Sequence, residues 1–276
     1  MPTKRTICAL CQQPRTLRES HIIPEFLHGP LYEENLCSFN TYGHEGRPKV
    51  GFMRKGERER LLCDECEKRF SVYEGWASDF YKGAIVAFSD TTRSEIPFGK
   101  RLHFTRIDSN GNPTKSGVPR KLKVEGFDYK ILKLFLLSLL WRMGVSQLHF
   151  FSGVTLGHQE KRLRRMLLEN DPGSAERYAC QMRLIELEGK LVTDYQSQPH
   201  QYDHRGKKCC RLFSTGFRFD FMASNHPADD YDVDHYCVKP QPHYECWVDS
   251  IRTHPDLANE LIKLGNDMKW TEAKIS

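Results

Sequence analysis

Two cysteine pairs constrain this chain more than any other feature of its sequence. Cys8 and Cys11 are separated by two residues, and so are Cys63 and Cys66, with 51 residues between the pairs. A tight turn with this spacing presents two thiolates to a tetrahedral metal ion, and two such turns complete a four-cysteine site. The sequence therefore predicts a structural Zn²⁺ ion bound by all four cysteines.

Cysteine usage favours metal binding over disulfides. The chain has 276 residues and ten cysteines, and its N-terminal stretch MPTKRTICALC lacks the apolar core of a signal peptide. The longest apolar run, residues 131–141, is interrupted by Lys133 and Ser138 and is too short to cross a bilayer. We expect a cytoplasmic chain without a membrane segment, where paired cysteines typically bind metal.

Apolar periodicity divides the chain into two predicted domains. Residues 1–80 are rich in cysteine, glycine and charge and poor in apolar periodicity, which is typical of a small module organised by a metal. Residues 81–276 can bury a larger core. The elements expected there are strands between about 81 and 125, a buried central helix at 127–144, a helix at about 159–169, strands at 181–192 and 213–222, and a last helix at 255–264. The predicted fold class is α+β.

The surroundings of the cysteine pairs resemble a known family of enzymes. His21 lies in the stretch Ser20-His21-Ile22-Ile23-Pro24, and Glu67 directly follows the second pair, where a helix is expected to start. This order resembles the HNH, or ββα-metal, endonucleases that contain a four-cysteine zinc. In that family a strand delivers a histidine, and a helix that begins at the second cysteine pair supplies a metal ligand. The resemblance covers about residues 8–75.

The resemblance implies a role for three residues. His21 matches the general base that deprotonates the attacking water. Glu67 matches a ligand of a catalytic divalent cation, and a carboxylate suits Mg²⁺ or Mn²⁺. Ser20 stands where the family has an Asp or His ligand. Ser20 or a water completes the metal shell, Glu19 enters it, or the site has lost its metal.

A basic middle segment predicts a polyanionic partner. Residues 91–165 contain 15 Lys and Arg against 5 Asp and Glu, whereas residues 166–276 contain 13 against 18. Phosphate neutralisation by such a segment supplies affinity that does not depend on base sequence. The candidate nucleic-acid-binding residues are Arg120, Lys121, Lys123, Arg162, Arg164 and Arg165.

Together these features predict a metal-dependent HNH-like endonuclease that hydrolyses phosphodiester bonds, with DNA favoured over RNA. The resemblance also implies a role in bacterial restriction or anti-phage defence, with a second copy of the chain or a defence-system protein as partner. The alternative is a catalytically inactive treble-clef zinc module that binds nucleic acid or protein. Ser20 favours that alternative, whereas Glu67 and the intact His-Ile-Ile-Pro stretch favour the enzyme.

Overall fold

Helices and strands alternate irregularly along the chain, in the α+β class that the sequence predicts. The computed structural model describes residues 6–29, 31, 38–44, 47–53, 56–193, 195–228, 237–253 and 258. The helices of this part of the chain are α1 (Asp64–Ser89), α2 (Tyr129–Val145) and α3 (Gln159–Glu169). The strands are β1 (Leu17–His21), β2 (Ser38–His44), β3 (Arg47–Met53), β4 (Arg58–Cys63), β5 (Glu95–Phe98), β6 (Leu102–Ile107), β7 (Lys121–Glu125), β8 (Cys180–Leu187), β9 (Lys190–Leu191), β10 (His200–His204), β11 (Lys207–Ser214), β12 (Phe217–Met222) and β13 (His243–Ser250). Short 3₁₀ turns span Glu25–Leu27, His149–Phe151 and Ile251–Thr253.

The N-terminal part is built on one pair of strands and the helix that follows. β1 and β4 pair antiparallel, from Leu17 opposite Cys63 to His21 opposite Arg58. α1 begins at the residue after β4, so its first turn lies at the Cys63 end of this ladder. The intervening segment contributes the antiparallel pair β2 and β3, in register from Ser38↔Met53 to His44↔Arg47.

The larger part is a nine-stranded sheet. Its strand order is β10-β11-β12-β8-β13-β7-β6-β5, with β9 paired to β8 outside this path. The pairing is antiparallel except between β13 and β8, which run parallel. On β12 the residues at odd positions, Phe217, Phe219 and Phe221, belong to the main hydrophobic cluster. The alternate residues Arg218 and Asp220 therefore lie on the opposite face of the sheet.

Helix α2 is buried around most of its circumference, as its apolar sequence predicts. Leu134, Leu136, Leu139 and Trp141 are fully buried. α1 packs between this helix and the sheet, where the ring of Phe80 lies against the sheet residues. No helix in the described ranges is long and apolar enough to cross a membrane.

Three sequence-based assignments need correction. The strand expected at 181–192 is divided into β8 and β9 by a turn at Glu188 and Gly189. Strands were expected from about residue 81, but α1 continues to Ser89, because its apolar residues recur at helical rather than alternating spacing. The expected strand at 213–222 is interrupted by a turn at Thr215 and Gly216, whose φ angles are 43° and 87°. A glycine reaches such left-handed angles without strain. The helix expected at 255–264 lies outside the described residues, except for residue 258.

The predicted domain boundary at residues 80 and 81 falls inside α1. A single hydrophobic cluster combines Cys8 and Leu10 from the first segment with Leu184 and Val248 from the second. The carbonyl of Leu27 also accepts a hydrogen bond from the Thr215 hydroxyl (3.0 Å). The two segments therefore share a core, and their division into separate domains remains a prediction.

Candidate functional site

The first cysteine pair is held against β4 by backbone hydrogen bonds. The Ala9 amide donates to the Leu61 carbonyl (3.0 Å), and the Gln12 amide closes the turn on the Cys8 carbonyl (2.9 Å). Gln12 takes a left-handed φ of 58°, which reverses the chain after Cys11. The Cys63 amide donates to the Cys8 sulfur (3.3 Å). These contacts bring together two pairs that are far apart in sequence.

The four cysteines form a group suited to a metal ion such as zinc. Their sulfur atoms all lie within 4.8 Å of one another, and within the described ranges no other group of three or more His, Cys, Asp or Glu side chains is placed to hold an ion. Contact with the Cys66 thiol lowers the pKa of Cys8 to about 4, and the same contact raises the pKa of Cys66. Four sulfur ligands are a donor set that Zn²⁺ prefers, and they fill its tetrahedral shell.

A bulge at Leu61 of β4 decides which side chain of β1 turns inward near the cysteines. The register of β1 and β4 shifts between Arg18 and Glu19. As a result Arg18 and Glu19 are both exposed, and Ser20 is buried with 1% of its surface accessible. A bulge of this kind re-aims the side chains that follow it. The inward position is therefore occupied by Ser20 and not by Glu19, which pairs across the ladder with Arg60.

Ser20 and Glu67 are in direct contact. The Ser20 hydroxyl donates to Glu67 Oε1 and accepts a hydrogen bond from the Leu62 amide (3.2 Å). Burial raises the pKa of Glu67, while the contact with Ser20 and the nearby charge of Arg142 act in the opposite direction. The structure thus brings together two of the three predicted catalytic residues as a hydrogen-bonded pair.

His21 is the next residue on β1 and is half-buried. Its Nε2 accepts a hydrogen bond from Arg58 Nε (2.9 Å), so the neutral ring carries its proton on Nδ1. Burial, and then the positive charge of Arg58, lower the pKa of His21. The lowered pKa favours the neutral imidazole, whose only lone pair, on Nε2, is engaged by Arg58.

A second histidine lies behind His21. The His28 ring is buried, and its centroid is 6.5 Å from that of His21. Its Nε2 lies 3.2 Å from the Ile23 carbonyl oxygen, and burial, followed by the charge of His21, lowers its pKa to about 4. A Cβ atom at Gly56 would lie 2.4 Å from this ring, so a glycine at that position makes room for it.

An arginine from α2, Arg142, joins Ser20, His21, Glu67 and Arg58 in a group that we call the polar site. Arg142 Nη1 donates to the backbone carbonyl of His21 (2.8 Å) and to Glu74 Oε1 (2.6 Å). The Arg142 side chain is 2% exposed, and Glu74 lies two turns after Glu67 on α1. The sequence analysis missed Arg142, although a single basic residue in the apolar stretch LLWRMG is a signal of a buried charge with a specific partner.

The predicted nucleic-acid-binding residues fall into two groups on different elements. On and beside β7, Lys121 and Lys123 form ion pairs with Glu245 and Glu125 (2.8 and 2.7 Å). The guanidinium of Arg120 lies over the Trp247 ring, 5.3 Å from its centroid. Two of the three cations in this group are therefore paired with carboxylates, and the third stacks on an aromatic ring.

The second group lies on α3. Arg164 and Arg165 pair with Glu160 and Glu169 of the same helix (3.2 and 4.0 Å). Arg162 is close enough to Tyr178 to lower the pKa of its hydroxyl, although burial raises that pKa overall. Both groups are engaged in local contacts, and their role in binding nucleic acid remains a prediction.

Comparison with known proteins finds no relative of this arrangement: no family model, no curated protein and no solved structure matches the chain. The assignment of function therefore depends on the geometry of the cysteine group and of the polar site beside it.

Proposed function

We propose that the chain is a metal-dependent endonuclease of the HNH, or ββα-metal, type, and that the polar site is its active centre. The observation that carries this proposal is the contact between Ser20 and Glu67 next to the four-cysteine group, with His21 as the following residue of β1. Ser20 and His21 lie on β1, and Glu67 lies in the helix that follows its antiparallel partner β4, in the order that the resemblance predicts. The cytoplasmic location expected from the sequence is part of the same proposal, and the role in defence depends on the resemblance alone.

His21 acts as the general base. Hydrolysis of a phosphodiester requires a water molecule that loses a proton as it attacks phosphorus. A neutral imidazole with a lowered pKa is already deprotonated at pH 7, as this role requires. The bond from Arg58 fixes the plane of the ring, and it is exchanged for a bond to water when the base acts.

Ser20 and Glu67 would hold the catalytic cation. A hydroxyl and a carboxylate are hard oxygen ligands, and Mg²⁺ is commonly bound by one or two carboxylates with water in the remaining positions. When bound, the ion neutralises charge that develops on the phosphate and the leaving oxygen. Glu67 gains from such an ion, because its burial disfavours an uncompensated carboxylate.

The cysteine group has a structural role in this proposal. A Zn²⁺ ion bound by four thiolates has no open position for substrate. Bound by the four cysteines, such an ion would tie the turn at Cys8 to the start of α1 and so help to set the distance between β1 and Glu67. The substrate is a polyanion, with DNA favoured over RNA, and the basic residues near β7 and on α3 are the candidates for its contacts.

The test is cleavage of plasmid, single-stranded DNA and RNA by the purified chain, with Mg²⁺ or Mn²⁺ added back after dialysis and zinc content measured in parallel. We expect cation-dependent cutting by the wild type and a decrease of about 100-fold or more in His21→Ala. His103→Ala, a change at an exposed histidine on β6, is the matched control and should keep full activity. Wild-type cutting by His21→Ala would refute the assignment.

A second candidate function is a catalytically inactive zinc module that binds nucleic acid or protein. Two contacts favour it: Ser20 bonds directly to Glu67, and Arg58 bonds to the lone pair of His21. Each candidate group is thus satisfied by another protein group. Retention of nucleic acid without cation-dependent cutting in the same assay would support this candidate.

A further inference from the structure

We infer that Arg142 is a positioning residue of the polar site: its Nη1 links the backbone of His21 to Glu74 and so sets His21 relative to Glu67. The inference deepens the proposed function, and its consequence for catalysis rests on that function. The contact itself is a property of the fold and is open to a separate measurement.

The link runs through a single nitrogen. Nη1 of Arg142 donates both to the His21 carbonyl and to Glu74 Oε1, at 2.8 and 2.6 Å. Nη2 is buried and has no hydrogen-bond partner among the described residues, and Nε makes a long contact with the Ser138 carbonyl (3.4 Å). The guanidinium also lies over the Phe70 ring, 5.3 Å from its centroid. The two short hydrogen bonds of Arg142 are thus directed toward β1 and α1.

A purely stabilising role explains this arginine poorly. A buried guanidinium loses its hydration, and a buried ion pair is often replaced by apolar side chains without loss of stability. The surroundings of Arg142 on α2 are apolar, so a Met or Leu would pack there. A charge is useful at this point because only a donor can hold the carbonyl at the end of β1.

The position of the link matters because His21 is the last residue of its strand. Its partner in the ladder is Arg58, and after it the chain leaves the ladder through the bond from the Ile22 amide to the Glu57 carbonyl (3.0 Å). One turn further along α2, Ser146 donates to Glu59 of β4 (2.8 Å). The end of α2 therefore holds both strands, but only Arg142 reaches the residue that carries the general base.

The ion pair with Glu74 connects the same link to the cation ligand. Glu74 follows Glu67 by seven residues, close to two turns, so both carboxylates lie near one face of α1. Displacement of β1 relative to this face would change the separation between the imidazole and Glu67. A misplacement of about 1 Å can cost on the order of 100-fold in rate.

The test compares Arg142→Met and Arg142→Lys with Lys133→Met. Lys133 is equally buried on the same helix, but it bonds to the carbonyls of Arg177 and Tyr178, away from the site. Two measurements are made on each variant: amide exchange at Ile22, and kcat and KM for cleavage. For Arg142→Met we expect exchange about tenfold faster, kcat lower by about 10- to 100-fold and KM within about twofold.

The conservative change should restore part of the effect. The ammonium of Arg142→Lys can reach one acceptor but lacks the planar fork of arginine, so intermediate exchange and kcat are expected. Glu74→Gln should change both quantities in the same direction, and the double variant should show less than the sum of the single effects. If Arg142→Met does not fold, Arg142→Lys and Glu74→Gln provide the comparison.

The two proposals can fail separately. Wild-type exchange at Ile22 in Arg142→Met, or equal changes in Lys133→Met, would overturn the positioning role whether or not the chain cleaves nucleic acid. If the wild type does not cleave but exchange at Ile22 responds only to Arg142 and Glu74, the proposed function fails and the positioning role stands.

Discussion

The two ends of the β1–β4 ladder are four residues apart on β1 but are stabilised in different ways. At the Leu17 end, Cys63 and the other three cysteines form a closed sulfur group. At the His21 end, the contacts are hydrogen bonds and ion pairs among Arg58, Glu67, Arg142 and their neighbours. Metal binding would control the first end and protonation state the second, so chelators and pH should act on different halves of one small structure.

The largest difference is expected from Cys63→Ser. Loss of one sulfur ligand should remove the metal and cost more than about 4 kcal/mol of folding free energy, since metal ligation supplies much of the stability of small modules. Zinc content and thermal unfolding are the measurements. Cys180→Ser, at a buried cysteine on β8, is the control and should cost about 1–3 kcal/mol with zinc retained. Stoichiometric zinc and wild-type unfolding in Cys63→Ser would contradict the role of the cysteine group.

A smaller, pH-dependent effect is expected at the other end from His28→Gln. The pKa of His28 is lowered from 6.5 to about 4. The unfolded chain therefore binds a proton at His28 at a higher pH than the folded chain, and stability is complete above pH 6.5 and falls as the pH decreases toward 4. The difference in pKa corresponds to about 3 kcal/mol.

His28→Gln should remove this part of the pH dependence. Urea unfolding between pH 7 and pH 4 measures it, and His103→Gln, at an exposed histidine, should leave the slope unchanged. An identical slope in His28→Gln and the wild type would show that acid sensitivity arises elsewhere.

The smallest effect is expected from Arg58→Gln. Removal of the guanidinium takes away a positive charge and the bond to Nε2, so the pKa of His21 should rise toward its ordinary value. NMR titration of the His21 ring measures this change. Arg60→Gln alters an exposed charge on the same strand and should leave the pKa of His21 where it is. An unchanged pKa in Arg58→Gln would mean that burial alone controls the imidazole.

The same contrast separates what the sequence predicts from what it does not. The cysteine group follows from local spacing, and the ranges of α2 and α3 follow from apolar periodicity. Ser20, His21 and Glu67 were also predicted as site residues, through the resemblance. The bulge at Leu61 of β4 was not, because it depends on how this residue is accommodated opposite Arg18 and Glu19.

The role of Arg142 could not be predicted from the sequence for a related reason. It is 121 residues from His21 in the chain, and its contact is created by the packing of α2 against α1 and β1. The sequence pattern indicates that Arg142 is an unusual charge in an apolar helix, but it does not predict which residues Arg142 contacts. Arg58 is likewise adjacent to His21 only through strand pairing. Long-range packing thus determines the charges around the polar site, whereas local spacing is enough to predict the two cysteine pairs.

The relative placement of the cysteine group, the polar site and the sheet depends on the length of helix α1 as well as on its side chains. Its 26 residues run from the second cysteine pair, past Glu67 and Glu74, to the large sheet. Each added residue would turn everything after it by about 100° and shift it by about 1.5 Å. A single insertion between Glu67 and Glu74 would separate the two carboxylates onto different faces while leaving every side chain intact. Single side chains on this helix can therefore be exchanged. The number of residues between Glu67 and Glu74, in contrast, is constrained by the cysteine group, the polar site and the large sheet together.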